Sequence, residues 1–248
     1  MTSRQGNVVT EHPFLNEISC HEMIALLEEH RELALDRNPA NPGAFVTYGR
    51  AAYLDLCLPR ANPEQDYFGA LPASNDALLA ILSDFYKQLL SKVEALLGEP
   101  TAYDPQSFAL PGIHIFRGNG IRSASEAGSH FDVQYQKLRL KSPIDQAAPP
   151  ISITIPLKNP HYGTGLQVYD VTYEDYARAY EMGRITTLDQ LVRRKTSAYY
   201  PYHIGELILH RGLVVHCITS PGPILPSDER ITIQGHGIRC NGTWILYW

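Results

Sequence analysis

The sequence predicts an α+β protein. A mainly helical N-terminal part, residues 1–109, precedes a β-sandwich or barrel over residues 110–248, which a helical insertion interrupts near 172–195. Three observations predict this. The first hundred residues carry two apolar stripes at helical spacing. From about residue 110, short β-rich runs recur between Gly and Pro residues, the pattern of a sandwich or barrel. One segment among them, Thr172–Arg194, returns to helical spacing with Tyr173, Tyr176 and Tyr180, then Leu188, Leu191 and Val192.

In chain order, Ser19 with Glu22 reads as a capping box opening a first helix, followed by Met23, Ile24, Leu26, Leu27, Leu33 and Leu35. Loops with Pro39, Pro42, Pro59, Pro63 and Pro72 come next. A second amphipathic helix is expected from about Ser74 to Leu97, closed by Gly98 and Pro100. The expected strands are Ile113–Arg117, His130–Leu140, Ile151–Leu157, Leu166–Val171, Ser197–Tyr202, Glu206–His210, Leu213–Thr219, Arg230–Arg239 and Thr243–Tyr247. No repeat, low-complexity tract or linker divides the chain, so 1–248 is read as one domain.

The composition is that of an ordinary soluble globular protein: 248 residues, 44% hydrophobic, 19% charged. The net charge of -5 argues against a nucleic-acid or anionic-membrane partner, whose footprint is basic. No apolar run approaches the ~18–20 residues of a membrane span. Met1–Thr10 is polar, without the apolar core of a signal peptide. The four cysteines, Cys20, Cys57, Cys217 and Cys240, form no CxxC pair. These features suggest a cytoplasmic protein with free thiols.

His130-Phe131-Asp132 is a candidate metal-binding tripeptide. Residues i and i+2 of a strand point to the same side, so both side chains can reach one ion. Two histidines and one carboxylate are the usual set for non-haem iron(II) that must keep positions open for O₂. The tripeptide alone is weak, because ten His and 26 acidic residues make a chance H-x-[DE] expected. Its context is more specific. Pro156-Leu157, Gly163-Thr164-Gly165-Leu166, Gly205-Glu206-Leu207-Ile208-Leu209, His216 and Arg230-Ile231-Thr232 follow in order.

In these motifs residues 110–240 resemble the Fe(II)/2-oxoglutarate-dependent dioxygenases. That family carries HxD, a "GGxL" turn, a "GDxxxF" segment leading to a distal histidine, and Arg-x-Ser/Thr some 10 to 15 residues later. Here Glu206 replaces the usual Asp, and His210 sits where Phe is common. The resemblance implies a double-stranded β-helix, a jelly-roll or cupin-like core buttressed by the N-terminal helices. It implies iron(II) held by His130, Asp132 and His216, with 2-oxoglutarate and O₂ as cosubstrates. It implies that Arg230 anchors the distal carboxylate of 2-oxoglutarate; a guanidinium offers a carboxylate a planar fork and stays charged when buried. Thr232, two residues on, and Thr154 are further donors. The radical halogenases of this superfamily have Gly or Ala where Asp132 stands, so halogenation is not expected.

For substrate, a small molecule such as a free amino acid or a natural-product intermediate is expected, to be hydroxylated at an unactivated C–H. Polar candidates for its charged ends are Gln134, His114 and Arg122, with Arg117 and Glu126. Trp244 and Trp248 either close over the substrate or plug the sandwich end. Tyr169, Tyr173 and Tyr176 belong to a lid or to ordinary helix packing. His210 and His236 lie on strands and either line the cavity or are ordinary core histidines, the reading favoured here, and Cys217 should face away from His216 by strand alternation. The alternatives are an enzyme acting on a protein residue or nucleobase, and a non-catalytic cupin-like binding protein. Desaturation, cyclisation and oligomeric state are left open.

Overall fold

The computed structural model describes residues 8–58, 62–126, 128–193 and 195–248, with the backbone only of residues 63–65 and 124–126. Pro59 and the Glu126 side chain, both named above, lie outside them. In chain order, β1 (Val9–Pro13) leads into α1 (Glu17–Glu29), then β2 (Ala34–Asp36), β3 (Phe45–Tyr48) and α2 (Ala52–Asp55). The long α3 (Leu71–Leu97) is followed by β4 (Thr101–Ala102), β5 (Gly112–Arg117) and α4 (Asn119–Glu126). Next come β6 (Ile151–Lys158), β7 (Gly165–Thr172), α5 (Tyr173–Glu181) and α6 (Leu188–Val192). The chain ends in β8 (Ser197–Pro201), β9 (Glu206–Arg211), β10 (Val214–Thr219), β11 (Glu229–Cys240) and β12 (Thr243–Tyr247).

Among the described residues the strands form two sheets. The major sheet runs β1-β9-β6-β11-β5-β3-β2, with β12 on the far half of β11 and β4 beside β12. The minor sheet is β10-β7-β8. Every pairing but the short β4–β12 one is antiparallel. Val9 and Ile208 of the major sheet pack with Leu166 and Val168 of the minor one, so the sheets face each other.

The period of two divides each central strand between two environments. Ile113 and Ile115 of β5, Ile153, Ile155 and Leu157 of β6, Leu207 of β9, and Ile231 and Ile233 of β11 turn to the back of the sheet. There they pack on Met23 and Leu27 of α1 and on Leu78, Leu82, Phe85, Tyr86, Leu89 and Val93 of α3. The residues of the other parity (His114, Ser152, Thr154, His210, Arg230, Thr232 and His236) carry buried polar side chains and turn to the opposite face. The helical buttress and the polar interior are thus two readings of one alternation.

The helices begin and end where local chemistry dictates. Asn16, not Ser19, caps α1: its side chain accepts from the Ser19 amide, so the helix starts three residues earlier than the capping-box reading placed it. Gly98 closes α3 in the left-handed conformation with φ 67°. Thr172 caps α5 in a reciprocal box with Asp175.

Besides its helices, the stretch before residue 110 contributes β1, β2 and β3 to the major sheet. Those strands are three to five residues long; β1 pairs with β9 and β3 with β5, far along the chain, while β2 pairs with β3. One expectation needs correction: the expected strand His130–Leu140 does not form. His130 makes one isolated bridge to His216, and the chain then turns through a 3₁₀ segment at Gln134–Lys137.

Candidate metal centre

His130 and His216 exchange both backbone hydrogen bonds, amide to carbonyl at 3.0 and 3.1 Å. Directly opposed residues carry adjacent side chains, and the two imidazole centroids lie 4.6 Å apart. The Asp132 amide donates to the Gly212 carbonyl at 2.9 Å, which keeps residues 130–132 extended beside the start of β10. The same-side placement of residues i and i+2 therefore holds locally, although no regular strand continues.

Each ring nitrogen has a defined role. His130 Nδ1 lies 3.2 Å from the Gly128 carbonyl, and His216 Nδ1 lies 2.8 Å from the Val214 carbonyl. A carbonyl only accepts, so both Nδ1 atoms carry hydrogen, which leaves each Nε2 as the ring atom that can ligate a metal, His216 Nε2 after giving up the proton it shares with Asp132. Those atoms meet the Asp132 carboxylate: His216 Nε2 is 3.3 Å from Oδ2 and His130 Nε2 is 3.9 Å from Oδ1. One ligand atom from each of the three residues lies within 4.8 Å of the other two. Asp132 and His216 are buried, while His130 leaves about half its side chain (53%) open at the mouth. Two imidazole nitrogens and a carboxylate on one side of a point suit a divalent transition metal that keeps open positions.

The electrostatics are those of a charged pair inside protein. Burial alone pushes the Asp132 carboxyl up, yet His216 and His236 beside it hold it well below the usual carboxylate range. Burial lowers His216, but the Asp132 carboxylate overcomes this and raises it. His210 is 4.5 Å from His216 between centroids, and burial drives it down to about 3, so it stays neutral. His236 is lowered as well, by burial first, with Asp132 opposing.

A second polar cluster surrounds Arg230. Its side chain is 2% exposed, and among the described residues Nε and Nη1 have no hydrogen-bond partner. The guanidinium lies 4.5 Å over the Phe116 ring. Burial lowers Arg230 to about 10, so it is still a cation at neutral pH. The Tyr53 and Tyr202 rings lie within its field; burial pushes both phenols up, so they stay protonated donors. The Tyr202 hydroxyl lies beside Thr154, and the hydroxyls of Tyr202 and Thr232 have no partner of good hydrogen-bond geometry. His114, cross-strand from Thr232, is buried and driven well below its usual value; it accepts from the Tyr53 hydroxyl at 2.7 Å or donates to it. A buried cation with idle N–H groups, near hydroxyls and without a carboxylate partner among the described residues, is complementary to an anion.

Gln134 is buried two residues beyond Asp132, and its Nε2 has no hydrogen-bond partner among the described residues. Other candidates lie elsewhere. Arg122 is exposed on α4. Arg117 is tied to Glu229 at the end of β5. Trp244 turns its indole N–H to Glu99 at 2.7 Å, at the β4 edge. Trp248 is fully buried against Gly112 and His114. Both tryptophans are buried. Tyr173 and Tyr176 pack their rings on Phe131, at 5.3 and 5.8 Å, which puts α5 over the residue between two of the triad. Cys217 Sγ lies 4.0 Å from the Tyr169 hydroxyl.

Ser152, which the sequence did not single out, and His236 also converge here. The Ser152 hydroxyl donates to Asp132 Oδ2, and His236 Nδ1 is 3.1 Å from Ser152 Oγ. Parity along β6 and β11 places Ser152 with Thr154 and His236 with Arg230, and that was the one signal available. Nothing in the sequence marks Tyr53, which arrives from α2.

The fold is similar to that of several solved structures. An N-substituted L-amino acid dioxygenase from Burkholderia ambifaria AMMD aligns over 97% of this chain and 98% of its own, with TM-score 0.50 and 13% identity. The non-heme α-ketoglutarate-dependent epimerase SnoN from nogalamycin biosynthesis aligns over 95% and 81%, with TM-score 0.47 and 13% identity. HygX from Streptomyces hygroscopicus, with nickel and 2-oxoglutarate bound, aligns over 92% and 82%, with TM-score 0.46 and 12% identity. No protein-family model matches the chain, and no curated protein matches it in sequence.

Proposed function

We propose that this chain is an iron(II)- and 2-oxoglutarate-dependent oxygenase that oxidises a C–H bond of a small molecule, an amino acid or a related metabolite. The observation that carries the reading is the convergence of His130 Nε2, His216 Nε2 and the Asp132 carboxylate, with both Nδ1 atoms committed to carbonyls. The fold shared with an amino-acid dioxygenase supports it.

His130, Asp132 and His216 would hold iron(II), which, when bound with 2-oxoglutarate and O₂, supplies the oxidising power. The chain's own residues do the rest. Arg230 fixes the far carboxylate of the cosubstrate with its two idle N–H groups. Tyr202 and Thr232 add neutral donors at the same place. Neutral His210 and His114 place no further cation beside the triad. Gln134 offers an amide N–H to an acceptor on the substrate, and Phe131, Tyr173 and Tyr176 wall the approach past His130. The chain works as a single domain with a double-stranded β-helix core. Its four free thiols suit the cytoplasm, and no helix among the described residues is long and apolar enough to cross a membrane.

The test is anaerobic reconstitution with iron(II) and 2-oxoglutarate. A weak visible charge-transfer band that is lost in both His216→Ala and Arg230→Ala is the expected result. A folded, iron-replete sample without the band overturns the reading.

A further inference from the structure

We infer that Ser152 and His236 are a positioning pair for Asp132, holding one carboxylate oxygen so that the metal centre meets the carboxylate in a single orientation. The inference rests on the metal reading above.

The argument follows the hydrogens. The Ser152 hydroxyl donates to Asp132 Oδ2. An ionised carboxylate only accepts, so the one hydroxyl hydrogen is used there. His236 Nδ1, 3.1 Å from Ser152 Oγ, must then be the donor of the second bond, which fixes its tautomer with hydrogen on Nδ1. The chain of donors runs His236 to Ser152 to Asp132 Oδ2, and each donation polarises the next.

The three residues have little freedom to separate. Ser152 lies on β6 and His236 on β11, adjacent strands at the centre of the major sheet. A Cβ on Gly212 would come 3.1 Å from Asp132 Cβ and 3.2 Å from Ser152 Oγ, so only a glycine leaves the two side chains their present places without a shift. Without Ser152 the carboxylate could rotate about χ2, and either oxygen or both would face the ion. Groups that orient a metal's ligands from behind typically change affinity by about 10- to 100-fold when removed.

Cobalt(II) is the probe, because it reports ligand geometry without turnover. Affinity is read by anaerobic titration calorimetry and geometry by the ligand-field absorption of the full-length protein. Ser152→Ala should bind cobalt about 10- to 100-fold more weakly, with shifted bands. His236→Leu should move in the same direction. His236→Asn, which restores an N–H near the Nδ1 position, should return both readouts toward wild type. Thermal melts of the metal-free variants establish that each is folded. If folded Ser152→Ala binds cobalt as wild type does, with the same bands, the inference is wrong and the pair merely satisfies buried polar groups. If His236→Asn behaves like His236→Leu, the donor role of His236 is wrong. Failure of the metal reading looks different: wild type and His216→Ala would then bind cobalt alike, and the inference falls with it.

Discussion

Trp248 packs its indole face directly on the backbone of Gly112. A Cβ at residue 112 would overlap the six-membered ring and come within 2.6 Å of the Tyr48 carbonyl oxygen. The ring also lies 4.9 Å from that of His114, so the tryptophan supports the wall behind Arg230. Gly112→Ala cannot be absorbed by a flexible side chain, because ring and carbonyl are both buried. The substitution should cost about 2–3 kcal/mol, at the upper end of overpacking. A thermal melt should show a fall of about 4–12 °C. An unchanged melting temperature would mean that the indole does not sit there.

Arg230 is a buried cation awaiting its anion. An uncompensated buried charge destabilises, so Arg230→Met should raise the melting temperature of the cosubstrate-free protein. Adding 2-oxoglutarate at 100 times its Kd to the nickel-loaded wild type should stabilise it by about 2.7 kcal/mol, about 5–11 °C. The same addition should leave Arg230→Met unmoved. Arg230→Lys should recover little, since a single ammonium cannot replace the fork. A 2-oxoglutarate shift that survives in Arg230→Met would remove the arginine from the cosubstrate site.

The interior histidines predict acid sensitivity of the metal-free protein. His210 is held at about 3 by burial, and His114 and His236 are lowered by the same cause. The unfolded chain binds these protons near pH 6.5 and the folded one does not, so stability falls as pH drops below 6.5. For His210 alone the loss from pH 6.5 to 5 is about 2 kcal/mol. His216 has the opposite sign: its raised value contributes fully below pH 6.5 and is lost as pH rises through the folded value. Urea midpoints at pH 7.5, 6.5 and 5 should therefore fall on the acid side. His210→Phe, which removes one of these groups, should flatten that slope.

Much of this was legible in the chain because alternation and motif spacing are local properties. The isoleucines and leucines of β5, β6 and β11 announce the face that packs on α1 and α3, and the polar residues between them announce the interior. His130, Asp132, His216 and Arg230 are marked by order and spacing. What was not legible depends on partners far away in sequence. β1, β2 and β3 are too short to show a period; β1 forms against β9, β3 against β5, and β2 on the edge of β3. The run after Asp132 looks like a strand, but β10 begins at Val214 and offers no continuing partner, so the chain turns at Gln134. Ser152, His236 and Tyr53 come from three separate elements, and only packing brings them together.

Phe131 links the metal ligands to the helical insertion. Its ring meets Tyr173 and Tyr176 of α5 and joins the small core of Val171, Val192 and Val215. The backbone that carries His130 and Asp132 is thus anchored on one side by the bridge to β10 and on the other by this ring. Phe131→Ala would leave the first anchor and remove the second. Amide exchange across Tyr173–Glu181 should quicken, since α5 buries none of its own residues fully and depends on such contacts. Cobalt affinity should fall in the same variant, because the ligand-bearing segment loses its packing. Tyr180→Ala is the control: Tyr180 is 56% exposed and stacks on Tyr176, at 6.0 Å. It should leave cobalt binding unchanged and alter exchange little. If Phe131→Ala speeds exchange in α5 while cobalt binds as before, the insertion is a neighbour of the metal centre without being mechanically joined to it. If both change together, movement of α5 and the geometry of His130 and Asp132 are coupled through one aromatic ring.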